Sequence, residues 1–124
     1  MKNYTEHDIQ NLLFRIGIPV NRLGFLYLTY GMLLVIDNYE YATRVSKLLY
    51  VDIAARYKTE PQSVERCIRH AIIMAHDRTH NDFMNELFSA ELYPKSPTPT
   101  EFITGLYFYI INHTVENSCN EKEA

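Results

Sequence analysis

Apolar residues recur along this chain at helical spacing from end to end. Ile9, Leu12, Leu13 and Ile16 follow the i, i+3, i+4, i+7 pattern of one buried helix face. Thr5, with Asp8 three residues on, is a near-miss to the capping box that starts such a helix, and Gly17 and Pro19 end it. A second helix is predicted from Arg22 to Asp37. It contains the most apolar run, GFLYLTYGMLLVI (Gly24 to Ile36). A membrane-spanning helix needs about 20 apolar residues, so this shorter run reads as a buried central helix. A third helix is predicted from about Tyr41 to Leu49, a short one over 81–88, and a last one from Thr100 to His113. Between those two lies the loop Ser89 to Pro99, with three of the five prolines. No strand pair with hairpin chemistry is visible, and no internal repeat. The fold class this predicts is all-α, a compact bundle of about six helices.

Within that bundle one stretch stands out. YVDIAARYKTEPQSVERCIRH (Tyr50 to His70) reads as two short helices around a tight turn. Ile53 and Ala54 lie on the first, and Val64 and Ile68 on the buried side of the second. A small Ala lets the helices cross closely, and Tyr57, Val64 and Ile68 can close the wedge between them. This is the packing of a helix-turn-helix, whose second helix is free to enter a DNA major groove. Thr59 is a candidate N-cap for that helix, Pro61 falls in its first turn, and Gln62 stands at the capping-box position. Its outward residues are Gln62, Ser63, Glu65, Arg66, Arg69 and His70. An ordinary helical hairpin with a charged outer face has the same spacing.

Charge sharpens this picture. The chain totals −3, which argues against a non-specific polyanion binder. Yet Arg44 to Arg78 carries seven Lys or Arg against four acids, a local +3. Arg66 can pair bidentately with guanine O6 and N7, and Glu65 can accept from cytosine N4. Arg69 and His70, one turn on, suit backbone contacts. Lys47, Arg56 and Lys58 are candidate phosphate clamps on the flanking elements.

Other functions find little support. With 124 residues and 47% apolar content, the chain fits one domain with a real core. The expected division is a folded unit over 1–113 and a polar, disordered tail over 114–124. Cys67 and Cys119 form no CxxC pair and fit a reducing cytosol. MKNYTEHD at the N-terminus shows no secretory signal, so a cytoplasmic, nucleoid-associated protein with no membrane partner is expected. No nucleophile, phosphate-loop or HExxH motif is present, so no catalytic residue and no cofactor is assigned. His76 and His80, near Asp77 and Asp82, could share a helix face, but they lack a fixed third metal ligand.

Four blocks carry a family resemblance: IGIPVNRLGFLYL (Ile16 to Leu28), LYVDIAARY (Leu49 to Tyr57), SVERCIRHAII (Ser63 to Ile73) and SPTPTEFIT (Ser96 to Thr104). In order, they resemble IGVPAHIKGYLYL, LYPDIAKKY, RVERAIRHAIE and KPTNSEFIA of the C-terminal effector domain of the stage-zero sporulation protein A family. That family comprises regulators of sporulation in endospore-forming bacteria. The resemblance runs from about Ile9 to Ile110. It implies a DNA-binding transcription regulator whose second motif helix enters the major groove of a TGTCGAA-type promoter box. It also implies contacts for Glu65, Arg66, Arg69 and His70.

The departures matter too. Ser63 stands where the family usually has Arg, Ile73 replaces a Glu, and His76 a Trp. Pro99 and Thr100 replace Asn and Ser, which alters how the last helix is capped and not whether it forms. Family proteins also carry a phosphoacceptor receiver domain that nothing here could form. The native-looking Met1 start favours an effector without that switch. It would bind DNA constitutively, or pair through its last helices as a homodimer or with a full-length relative. The alternative function is a protein-interaction module that heterodimerises with a related regulator without binding DNA itself.

Overall fold

Thr5 and Asp8 decide where the first helix begins. In a computed structural model that describes residues 4–78, 82–88 and 95–123, the Asp8 N–H donates to Thr5 Oγ1 (3.2 Å) and the Thr5 N–H to Asp8 Oδ2 (3.0 Å). Asp thus completes the capping box in place of Glu. Helix α1 (Glu6–Ile16) ends at Gly17, left-handed at φ 106°, whose N–H meets the Leu13 and Phe14 carbonyls. Ile9, Leu12, Leu13 and Ile16 are all buried, as the stripe predicts.

Helix α2 (Leu23–Asp37) is the centre of the molecule and packs against α1 and four later elements. A helix apolar on nearly every side is stable only when surrounded. Its one buried polar side chain among the described residues, Thr29, donates to the Phe25 carbonyl at 2.8 Å and leaves no hydroxyl unpaired.

The segment between α2 and the expected helix-turn-helix differs from the single helix predicted over Tyr41 to Leu49. A short α3 (Glu40–Thr43) stops because Arg44 leaves the helical region, at φ −137° and ψ 57°. A π-helical turn follows (Val45–Leu49) and runs without a break into α4 (Tyr50–Tyr57). Here the Tyr50 N–H reaches back to the Val45 carbonyl. The wider turn accommodates one more residue, so that Val45, Leu49 and Tyr50 all point into the core. Neither Gly nor Pro marks the break, so the pattern of residues alone does not reveal it.

Three helices complete the fold: α5 (Pro61–Arg78), α6 (Asp82–Leu87) and α7 (Pro99–Glu123). The start of α7 is capped by Thr98 and Glu101. The Glu101 N–H donates to Thr98 Oγ1 (3.2 Å) and the Thr98 N–H to Glu101 Oε1 (2.9 Å), with Pro99 at the first helical position. The backbone of α7 continues past His113, where the sequence pattern places the helix end. After α6, buried Phe88 stacks on Phe102 of α7 with centroids 5.3 Å apart. The fold is all-α, with no strand among the described residues. No helix among them is long and apolar enough to cross a membrane.

The tightest approach lies between α2 and α5. A Cβ at Gly24 would sit 2.6 Å from both the Cys67 carbonyl oxygen and Ala71 Cβ. At Gly31 the nearest atom is 3.0 Å away, the flexible tip of Ile53. Gly24→Ala is therefore expected to destabilise the fold by about 1–3 kcal/mol through overpacking against backbone. Gly31→Ala should be close to neutral, because Ala's better helix propensity offsets a small shift of Ile53. Urea denaturation of the two variants checks this order.

Candidate nucleic-acid interface

The turn between α4 and α5 is built on one left-handed residue. Lys58 has φ 56° and ψ 51°, and its N–H and that of Thr59 both return to the Ala54 carbonyl. The Glu60 carbonyl then accepts from Ser63 (3.0 Å) and Val64 (3.1 Å), and Pro61 opens α5. The N-cap position is thus Glu60 and not Thr59, because the left-handed step at Lys58 uses Thr59 to close the preceding helix. The Thr59 side chain faces the Tyr27 phenol of α2 and works against the rise of its pKa. Burial, foremost, pushes the Tyr27 hydroxyl pKa up.

Along α5 the faces separate cleanly. Val64, Ile68, Ala71, Ile72 and Ala75 are buried, while Gln62, Arg66, Arg69, His70, Ile73 and Asp77 are exposed. Ser63, Glu65 and Cys67 lie at the margins, half-buried. The exposed positions repeat every three or four residues, so they form one stripe along the helix. All six outward residues expected from sequence fall on this stripe or its edges. Ile73, 37% exposed, continues it toward the C-terminal end.

Charges on the stripe are organised. Arg69 Nε donates to Glu65 Oε2 at 2.6 Å, and Arg69 Nη2 contacts the same oxygen. Arg66 lies one turn from Ser63, with Nη2 3.5 Å from its hydroxyl oxygen. Arg66 is exposed, with its guanidinium turned back along the helix to donate to the Ser63 hydroxyl. On the α4 side, Tyr50 packs under this pair with its hydroxyl pKa pushed up to about 12. Burial is the main cause, the Glu65 carboxylate adds to it, and the Arg69 guanidinium opposes it.

The three flanking cations are dispersed. Lys58 sits in the turn itself, and exposed Lys47 lies one turn ahead of Tyr50, in a shallow cleft with Arg44 and Thr100. The Arg56 guanidinium lies over the Tyr30 ring (5.4 Å) and the Tyr57 ring (5.7 Å). It is therefore engaged with the Tyr30 ring of α2 and with its neighbour Tyr57. Tyr57 does more than fill the α4–α5 wedge. Its ring lies 5.5 Å from Tyr27 and 5.9 Å from Tyr30, tying the end of α4 to α2.

The other edge of the stripe meets the start of α2. A cleft of about 290 Å³ is lined there by Asn21, Arg22, Leu23, Gly24, Cys67, His70, Ala71 and Met74. Reading the sequence missed this flank. Its only trace is a Gly in the first turn of an otherwise bulky helix. Of the weighed metal pair, His80 lies outside the described residues, and His76 Nδ1 sits 3.8 Å from Asp77 Oδ1.

Residues 9–110 match the model of the sporulation initiation factor Spo0A C-terminal family. The chain belongs to this family. The match covers most of the chain and includes α4, the turn and α5 without interruption. The family is one of DNA-binding effector domains that regulate transcription in sporulation, so the chain is a DNA-binding regulatory domain.

The Tyr50 environment yields a pH signature. Its folded pKa of about 12 exceeds the ordinary 10.0, so between those values the unfolded chain loses a proton that the folded chain keeps. Folding stability must therefore fall as pH rises through that window. Tyr50→Phe is expected to shrink the fall. Tyr27 and Tyr41, also raised, retain their share. Urea titrations at a series of alkaline pH values measure the difference.

Proposed function

We propose that the exposed stripe of α5 reads a promoter box from the major groove, with α4 and the turn holding it across the DNA backbone. The observation that carries this reading is the family match over a helix whose polar residues Gln62, Ser63, Glu65, Arg66, Arg69 and His70 share one open face. Arg66 has the role of guanine reader, since an exposed guanidinium held only by a long contact to Ser63 can turn to engage O6 and N7 together. Glu65 holds Arg69 on the α4 side of the stripe, where Arg69 meets the phosphates of that strand. Lys47 and Lys58 add further backbone contacts there, with Arg56 held on the aromatic rings of Tyr30 and Tyr57. The unit that does this is the folded region 1–113, and its setting is the bacterial cytoplasm at the nucleoid.

A second reading is favoured by the exposed Ile73 on the same stripe. In it the chain pairs with a related regulator and modulates it, without gripping DNA. Ser63, where the family usually has Arg, favours the same reading.

Fluorescence anisotropy on a duplex with a TGTCGAA-type box, against a scrambled duplex and across a salt series, separates the two. The DNA reading predicts preference for the box and a steep salt dependence. Weak binding that ignores sequence would favour the partner reading. Arg66→Ala is expected to lose about 1–3 kcal/mol of discrimination between the duplexes while remaining folded. Ser63→Arg should tighten box binding, as it restores a basic side chain at the near end of the stripe. An unchanged affinity in that variant would remove Ser63 from the account of specificity.

A further inference from the structure

A helix seated in the major groove has a phosphate strand on each side of it, because the groove is bounded by both backbones. The cations expected from sequence serve only one side. Glu65, Arg69 and Tyr50 mark the edge of α5 that faces α4, and Lys47 lies one turn beyond Tyr50. The opposite edge of the stripe, through Cys67 and Met74, faces the start of α2.

Arg22 stands on that second edge. It is the residue just before α2, in extended backbone at φ −114° and ψ 152°, and its side chain makes no capping hydrogen bond. Among the described residues it enters no ion pair. Together with Asn21 and His70, both exposed, it lines the cleft beside α5, and no acidic residue lines that cleft. The position is also fixed. Two residues on, Gly24 rests against the Cys67 carbonyl so closely that no Cβ fits between them. Arg22 therefore cannot drift from the reading helix as a loop cation could.

We propose that Arg22, supported by Asn21 and His70, grips the DNA phosphate backbone on the side of α5 opposite α4. This completes a two-sided clamp around the reading helix. The inference rests on the reading that the α5 stripe enters DNA. It assigns contacts to Arg22 and Asn21, which lie outside both the α5 stripe and the α4 side. A guanidinium suits the task, since its fork of N–H donors matches two phosphate oxygens.

The test uses the full chain and three proteins: wild type, Arg22→Ala and Arg22→Lys. Each is titrated by anisotropy onto box and scrambled duplexes over a salt series, with circular dichroism melts run alongside. A phosphate contact carries no sequence information. Arg22→Ala should therefore weaken both duplexes alike, on the order of ten-fold, and lower the salt slope by about 1. Arg22→Lys should recover part of the affinity. Wild-type affinity and slope in Arg22→Ala, with the wild type still preferring the box, would overturn the clamp and leave the α5 reading intact. A loss confined to the box duplex would also overturn it, since Arg22 would then read bases. A wild type that binds neither duplex would overturn the α5 reading and the clamp with it.

Discussion

The close contact of α2 with α5 at Gly24 governs the geometry of everything outward of it. The glycine backbone lies against the Cys67 carbonyl and Ala71, so the central helix and the exposed helix cross with no side chain between them. Dense packing of this kind has discrete solutions and resists gradual deformation. The crossing therefore sets which residues of α5 face out. It also places the loop before α2 at one margin of the stripe. On the other margin α4 is held by Ile53 and Ala54, both buried, and by the Tyr57 ring against Tyr27 and Tyr30. The stripe is rigid because both its margins are.

That rigidity has a chemical consequence. Base reading needs side chains aimed from a fixed frame, while phosphate contacts supply register and most of the salt-dependent affinity. The chain as a whole is acidic, and its cations are concentrated between Arg44 and Arg78. Within α5 the Glu65–Arg69 pair neutralises one of these cations locally, while exposed Arg66 meets only the neutral Ser63 hydroxyl. A single guanidinium without a carboxylate partner among the described residues, on a fixed stripe, favours selectivity over indiscriminate attraction to polyanions.

Much of this was legible in the order of residues. The α1 stripe and its caps, the buried central helix, Pro61 in the first turn of α5 and the outward set of α5 all follow from spacing and capping chemistry. The family resemblance, carried by VERCIRHAI and three other blocks, agrees with the match over 9–110. What stayed hidden has physical reasons. The π-helical turn at Val45–Leu49 uses ordinary helix-forming residues, and only the packing of Val45, Leu49 and Tyr50 reveals the extra residue. The N-cap of α5 moved from Thr59 to Glu60 because Lys58, a residue without strong left-handed preference, took the left-handed position. The flank formed by Asn21 and Arg22 is a tertiary neighbour of Cys67 and His70 on α5, more than forty positions away in sequence. No local pattern could bring it there.

The central claim is that the exposed stripe of α5 is the surface that meets DNA. Backbone amide NMR spectra of the protein, recorded as a box duplex is added, test it most directly. The account predicts that the largest shifts map to Gln62, Ser63, Arg66, Arg69 and His70, with smaller ones at the turn and at the start of α2. Shifts confined to another surface, such as the Tyr39, Tyr107 and Phe108 cluster on the α7 side, would contradict it. So would a spectrum that the duplex leaves unchanged.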